Sequence, residues 1–195
     1  SAVPVTAEMD MTIEFWFKGA AQNATLFSNG NTAVDAYIPA KVINVNMKAD
    51  GKLVVETNNK AITTNGSFGD DLWHHLAYTV NRRGYASLFI DGEKQASIAA
   101  SDAGSLQSAD AYIGGRGYLN NSQVRQLDNY FNGSIDELRI WNVARTQDQV
   151  KLYKNNRLNG SETGLMAYFP FETYTEVMGV MQTTTSLSDA SIDAY

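Results

Sequence analysis

An all-β fold, an antiparallel two-sheet sandwich with one short helix in its C-terminal half, is what this sequence predicts. Three observations carry it. Roughly ten to thirteen short runs alternate apolar and polar residues with the period of two that a half-buried strand requires. Turn signals built on Gly, Asn and Asp separate these runs about every 8–12 residues. Helical periodicity is confined to one stretch, roughly 147–154. The 195 residues are enough for one sizeable core, and a hydrophobic content of 44% is ordinary for a globular chain.

Residues 1–8 carry no pattern beyond Pro4 and read as an entry segment. In Met9–Lys18, Met11, Ile13, Phe15 and Phe17 alternate with Thr12, Glu14, Trp16 and Lys18; the first set is expected to face the core. Ala24–Ser28 is a short strand ended by Asn29-Gly30-Asn31. Residues 36–47 are apolar but interrupted near Pro39, which predicts an edge or a bulge because proline donates no ladder bond. Asp50-Gly51 is a hairpin signal joining Val45–Met47 to Leu53–Glu56, and Ala61–Thr64 is expected to add another strand. Trp73–Val80, Tyr85–Ile90 and Lys94–Ala99, separated by turns at Asn81–Gly84 and Asp91-Gly92, form a meander. Ala109–Gly114 is a strand, whereas Gly115–Tyr130 is the longest stretch without strand periodicity.

In Phe131–Trp141, F-N-G-S-I-D-E-L-R-I-W, the Asn132-Gly133 turn opens a strand. Strict alternation sets Ile135, Glu137, Arg139 and Trp141 on one face and Asp136, Leu138 and Ile140 on the other. Thr146 with Gln149 has capping-box spacing at the start of the helix, where Val150 and Tyr153 follow at i, i+3. Leu165–Phe171 is the last clear strand. A domain over 1–172 is thus followed by a C-terminal extension, 173–195, which is polar around Thr183–Ser188 and reads as a linker or a packed tail.

Several of these segments together resemble one family. T-I-E-F-W-F-K, W-H-H-L-A-Y-T-V with its meander, A-D-A-Y-I-G, G-S-I-D-E-L-R-I-W-N-V-A-R-T and L-M-A-Y-F-P-F are similar, in order and spacing, to motifs of laminin-G-like (concanavalin A-like lectin/glucanase) jelly-roll domains of the bacterial surface-protein type. The resemblance covers about Met9–Phe171. It implies a jelly roll and a non-catalytic recognition or adhesion module of a larger exported protein, binding a glycan or a cell-surface protein. A structural spacer and a glycan-active enzyme of the same fold stand beside that reading, since fold does not fix function. Such domains sometimes hold a structural calcium, and Asp136 is the side chain best suited to ligate one here, although no EF-hand-like run occurs. No cofactor is otherwise required.

Composition narrows the choice. A net charge of −6 offers no basic face for nucleic acid. No apolar run reaches the ~18–20 residues of a membrane helix, so direct membrane insertion is not expected. The absence of cysteine removes disulfides, thiolate catalysis and cysteine-ligated zinc. An acidic, cysteine-free, Asn/Thr/Ser-rich β domain fits an extracellular or cell-surface bacterial protein.

Retaining glucanases need carboxyls about 5 Å apart, which i, i+2 acids on a strand supply. Here the only acidic pair on a strand is the adjacent Asp136 and Glu137, expected on opposite faces; Glu137 and Arg139 read as a same-face charge pair. His74 and His75 likewise face opposite ways, and His75 is expected to be half-buried and hydrogen-bonded rather than catalytic. Gly114-Gly115-Arg116-Gly117 follows a strand without leading into a helix, so a nucleotide site fails its context. Asn-x-Ser/Thr occurs at Asn23, Asn65, Asn120, Asn132 and Asn159, three of them Asn-Gly-Ser, where turn chemistry explains the residues. The ligand-binding candidates are therefore Arg116, Tyr118, Asn120, Asn121, Arg125, Asp128 and Tyr130, aromatic and polar groups suited to pyranose faces and hydroxyls.

Overall fold

The alternating runs become strands, and what they bury follows from their period. In this computed structural model residues 9–29, 32–33, 43–57, 60–103, 111–119, 122, 124–171, 173–177 and 180–184 are described. The first half comprises β1 (Met11–Lys18), β2 (Ala24–Asn29), β3 (Thr32–Ala33), β4 (Ile43–Met47), β5 (Leu53–Thr57), β6 (Lys60–Thr63), β7 (His74–Val80) and β8 (Tyr85–Ile90). The second comprises β9 (Glu93–Ala99), β10 (Ala111–Ile113), β11 (Arg116–Leu119), β12 (Arg125–Asp128), β13 (Ser134–Trp141), α1 (Gln147–Tyr153), β14 (Leu165–Phe169), β15 (Thr173–Val177) and β16 (Val180–Thr184).

Two antiparallel sheets make the jelly-roll sandwich: a six-stranded sheet in the order β14-β13-β1-β7-β8-β9 and a five-stranded sheet in the order β10-β2-β4-β5-β6. Between them lies one apolar core. Met11, Ile13, Phe15 and Phe17 enter it from β1, as alternation requires, and meet Leu26, Val45, Met47, Leu53 and Val55 of the facing sheet. β2 carries a register shift between Thr25 and Phe27, so that Leu26 and Phe27 are both buried. The tight turns depend on left-handed backbone: Gly51 (φ 76°) closes the β4–β5 hairpin, and Asp91 (φ 55°) with Gly92 (φ 84°) closes β8–β9.

At Asn132-Gly133 the glycine is needed for space rather than for its dihedral angle. A Cβ there would collide with the Lys18 carbonyl and the Phe131 ring. The stretch 115–130 is not an irregular loop: β11 and β12 pair antiparallel and β3 joins them in parallel as a small third sheet. Within the expected C-terminal extension, β15 and β16 form a separate hairpin. Positions 36–42, including Pro39, lie outside the described residues.

The helix forms where its cap predicts. The Thr146 hydroxyl accepts the Gln149 N–H at 3.3 Å while Gln149 Oε1 accepts the Thr146 N–H at 2.9 Å. Val150 is its one buried residue and packs with Ala77 and Phe89, on the outer face of the six-stranded sheet. Seven residues cannot sustain a helix unaided, so its docking must come from that face. Phe17→Ala is expected to destabilise the domain by about 3–5 kcal/mol in urea titration, and Thr146→Ala, which removes one cap, by about 1 kcal/mol.

Candidate functional site

Strand β13 decides what the outer face presents. Against β1 its register runs Glu14↔Arg139 and then Trp16↔Asp136, two residues of β13 facing one of β1. That is a bulge, centred on Glu137, whose φ is 52°. It overturns strict alternation. Ile135 joins Leu138 and Ile140 in the core, while Asp136, Glu137 and Arg139 all border one outer cleft. The Asp136 carboxylate accepts the Glu137 N–H at 2.8 Å and so holds the bulge from within.

Beneath the helix the outer face is polar yet dry. Glu14, His75 and Arg139 are each about 1% exposed or less. Arg139 is the hub: it donates to the carbonyls of Tyr153 (3.0 Å) and Asn156 (2.6 Å), where α1 ends and the following turn begins. It also bonds Glu137 Oε2 at 2.5 Å, the same-face pair expected from sequence, and lies 3.8 Å from Glu14. Glu14 Oε1 accepts the Trp141 indole N–H at 2.9 Å. Arg145 lies over the Trp141 and Tyr153 rings, 4.1 and 5.1 Å from their centroids.

His75 is fully buried, not half-buried, and its ring finds no hydrogen-bond partner for Nδ1. Burial, reinforced by Arg139, Lys154 and Arg145, depresses its pKa to about 3. Its 3.6 Å approach to Glu14 is therefore a packing contact rather than an ion pair, despite the short separation. Burial also raises the Glu14 carboxyl, with Arg139 and Arg145 opposing. His74 faces the opposite way, as expected, and bonds Asp91 (2.7 Å) and Asp70 (3.1 Å).

The cleft, about 360 Å³, lies beside this layer. Trp16, Trp73, Asp136, Glu137, Arg139, Lys154 and the polar turn 155–157 line it. Trp16 is pinned: its indole N–H donates to the Lys154 carbonyl at 2.9 Å, and its ring packs edge-on to His75. Trp73 is 45% exposed at the rim. A pinned indole, an exposed one and amide and charged groups around them match the mixed apolar and polar surface that sugars need. Catalysis is a poorer match. The bulge removes the opposite-face objection, but Glu137 is committed, Oε1 to the Tyr168 hydroxyl at 2.8 Å and Oε2 to Arg139.

The residues proposed from the 115–130 stretch fare differently. Arg116 and Asp128 sit across β11 and β12 and bond each other bidentately at 2.8 and 2.6 Å, a cross-strand clasp. Tyr118 is half-buried on β11, Arg125 is placed on β12 opposite Leu119, and Tyr130 is exposed. Asn120 and Asn121 lie outside the described residues. Of this set, Arg116, Tyr118, Asp128 and Tyr130 do not line the cleft, which sequence reasoning missed; the signals for it were Trp16 on the non-core face and Trp73 before β7.

Comparison with known proteins agrees with the architecture. The family model of the concanavalin A-like lectin/glucanases superfamily matches residues 1–151. A rat protein, sushi, von Willebrand factor type A, EGF and pentraxin domain-containing protein 1, is 28% identical over 151 residues, 72% of this chain but 4% of that protein. The chain thus spans a small fraction of that curated relative. A candidate carbohydrate-binding protein from Bacteroides ovatus superposes with a TM-score of 0.68 at 22% identity, over 95% of this chain and 52% of that one. The CBM40 of a Ruminococcus gnavus IT-sialidase, bound to α2,3 sialyllactose, gives 0.58 at 18% identity over 75% and 83%. At these identities the structural likeness speaks for the fold.

Arg139→Met should destabilise the domain by about 3–5 kcal/mol, because Glu14 and Glu137 lose their partner; adding Glu14→Gln should restore part of that loss in the same urea titrations. His75 yields a pH signature. Its pKa of about 3 in the folded chain lies below the ordinary 6.5, so unfolding takes up a proton between those values. Its contribution is whole above pH 6.5 and is lost as pH falls toward 3. Glu14, with a raised pKa, runs the other way and favours the folded state at low pH. His75→Asn should flatten the acid limb of stability against pH; an unchanged limb would remove histidine as its cause.

Proposed function

We propose, for a chain that belongs to the concanavalin A-like lectin/glucanases superfamily, a non-catalytic recognition module whose ligand is carbohydrate, held in the cleft between Trp16, Trp73 and the 154–157 turn. One observation carries the reading: an exposed indole and a rigidly held one flank a cleft of about 360 Å³ lined by carboxylate, amide and cationic side chains. Aromatic rings cover the apolar faces of a pyranose, and the polar rim can bond its hydroxyls. The structural relatives described as carbohydrate-binding support this, as does the commitment of Glu137 to Tyr168 and Arg139. Extracellular placement, adhesion at a cell surface and membership of a longer multidomain chain belong to the same proposal. A protein partner on the exposed Tyr130 and the β11–β12 hairpin is the second reading, favoured by the 65% exposure of that ring.

Calcium at Asp136 would have to draw its other ligands from backbone carbonyls and water. Among the described residues no group of three or more His, Cys, Asp or Glu side chains gathers as a cation cage. A thermal melt with calcium against one with EDTA tests it. A rise in Tm abolished by Asp136→Asn would place the ion there, and coincident melts would remove it.

For the cleft, a glycan array followed by calorimetry on the best hit is the measurement. Trp73→Ala should weaken binding about tenfold or more with the fold intact, whereas Tyr130→Ala should leave it unchanged. The reverse pattern would move the site to the hairpin, and a blank array would favour a spacer or a protein-binding module.

A further inference from the structure

The tripeptide Asn-Gly-Ser occurs three times, at Asn65, Asn132 and Asn159. Identical local sequence in three surroundings isolates what the fold adds. Around Asn65 the side-chain amide is tied, its Nδ2 donating to the Gln95 carbonyl at 2.8 Å, and the Gly66 carbonyl accepts from Thr64 at 2.7 Å. At Asn132 the backbone is clamped on both sides by Gln22, at 2.9 Å each, and Gly133 is wedged against the Lys18 carbonyl. At the first the amide side chain is held, and at the second the glycine has no room to move.

Asn159 differs in the space around its glycine and in what its hydrogen bonds face. Gly160 has φ 86°, and a Cβ there would meet nothing within 4 Å, so the backbone has open space. The Gly160 N–H donates to Glu162 Oε2 at 2.9 Å, and the Asn159 N–H donates to the other oxygen of the same carboxylate at 2.8 Å. Two donors converge on Asn159 Oδ1: the Ser161 N–H at 2.9 Å and the Ser161 hydroxyl at 2.6 Å. Those backbone N–H groups, the one on Asn159 foremost, hold the Glu162 carboxyl below the usual range, which weakens it as a base; its place against the Gly160 N–H, 2.9 Å away, is what lets it take that proton. A base therefore sits on the nitrogen, and paired donors sit on the oxygen of the amide that nitrogen could attack.

We infer that Asn159 is a built-in site of self-modification, at which the Gly160 nitrogen closes on the Asn159 side chain, expels ammonia and leaves an aspartyl or isoaspartyl residue. The bond that forms joins Gly160 N to Asn159 Cγ, and the bond that breaks is Cγ–Nδ2. Glu162 accepts the Gly160 proton, and a proton delivered to the departing Nδ2 lets it leave as ammonia. Oδ1 carries the charge of the tetrahedral intermediate, where the Ser161 N–H and hydroxyl meet it. Water then opens the cyclic imide at either carbonyl. Ring closure joins neighbouring atoms of one chain, the arrangement in which proximity contributes most. Electrons and atoms balance without oxidant or cofactor.

The test is peptide mapping by mass spectrometry of the full chain, incubated folded at neutral pH and, as reference, unfolded in denaturant. Unfolded, the three Asn-Gly-Ser sites should convert alike. Folded, Asn159 should convert faster than its own unfolded reference, and Asn65 and Asn132 slower than theirs. Glu162→Gln, at a half-buried position, and Ser161→Ala, at an exposed one, should each lower the folded-to-unfolded ratio at Asn159 roughly tenfold and leave the other two sites alone. Conversion at Asn159 that is slower in the folded chain, or unchanged in both variants, would overturn the assignment.

Discussion

The outer face of the six-stranded sheet depends on Arg139. A guanidinium about 1% exposed needs its charge balanced, because an isolated buried cation costs several kcal/mol; its two terminal nitrogens are bonded, while Nε finds no partner. Here it receives a carboxylate from its own strand, stands near a second from β1, and donates to two carbonyls where the helix ends. The helix is too short to stand alone. One residue thus balances the buried acids, terminates the helix and fixes the turn that forms one wall of the cleft. In that sense the cleft is a by-product of how a buried charge is satisfied.

The bulge at Glu137 is the second constraint. A strand in strict alternation would send Glu137 and Ile135 to the same face, burying a carboxylate in the core or exposing an isoleucine. An extra residue, at φ 52°, lets both reach suitable surroundings. The consequence for function is direct. Adjacent acids that alternation would separate come to border one cleft, and the same geometry hands Glu137 to Tyr168 and Arg139 instead of leaving it free for substrate. Tyr168 feels the same environment: burial and the Glu137 carboxylate push its hydroxyl up to about 12. A recognition surface follows more naturally from this arrangement than a hydrolytic pair.

Polar groups elsewhere were absorbed in the same manner. Arg116 and Asp128, which composition alone marks as ligand contacts, clasp each other across β11 and β12. His75, adjacent to His74 in sequence, is sealed beneath Trp16 as a neutral ring. Residue type says what a side chain can do; whether that capacity is spent inside the protein depends on its partner across the sheet.

Much of the architecture was legible in the order of residues. The two-sheet sandwich, the β1 core set Met11, Ile13, Phe15 and Phe17, the glycine-closed hairpins and the Thr146 cap all rest on local rules, a period of two, a left-handed turn, a hydroxyl at a helix start, and local rules are written residue by residue. The bulge, the cleft and the burial of His75 were not legible. Each depends on register between strands remote in sequence, Glu14 with Arg139 and Trp16 with Asp136, and on a helix laid over one face. A one-residue shift in that pairing redirects the side chains beyond it. Strand identity is therefore a property of the local chain, whereas facing and burial at the outer sheet surface are properties of the pairing, and the cleft lies on that surface.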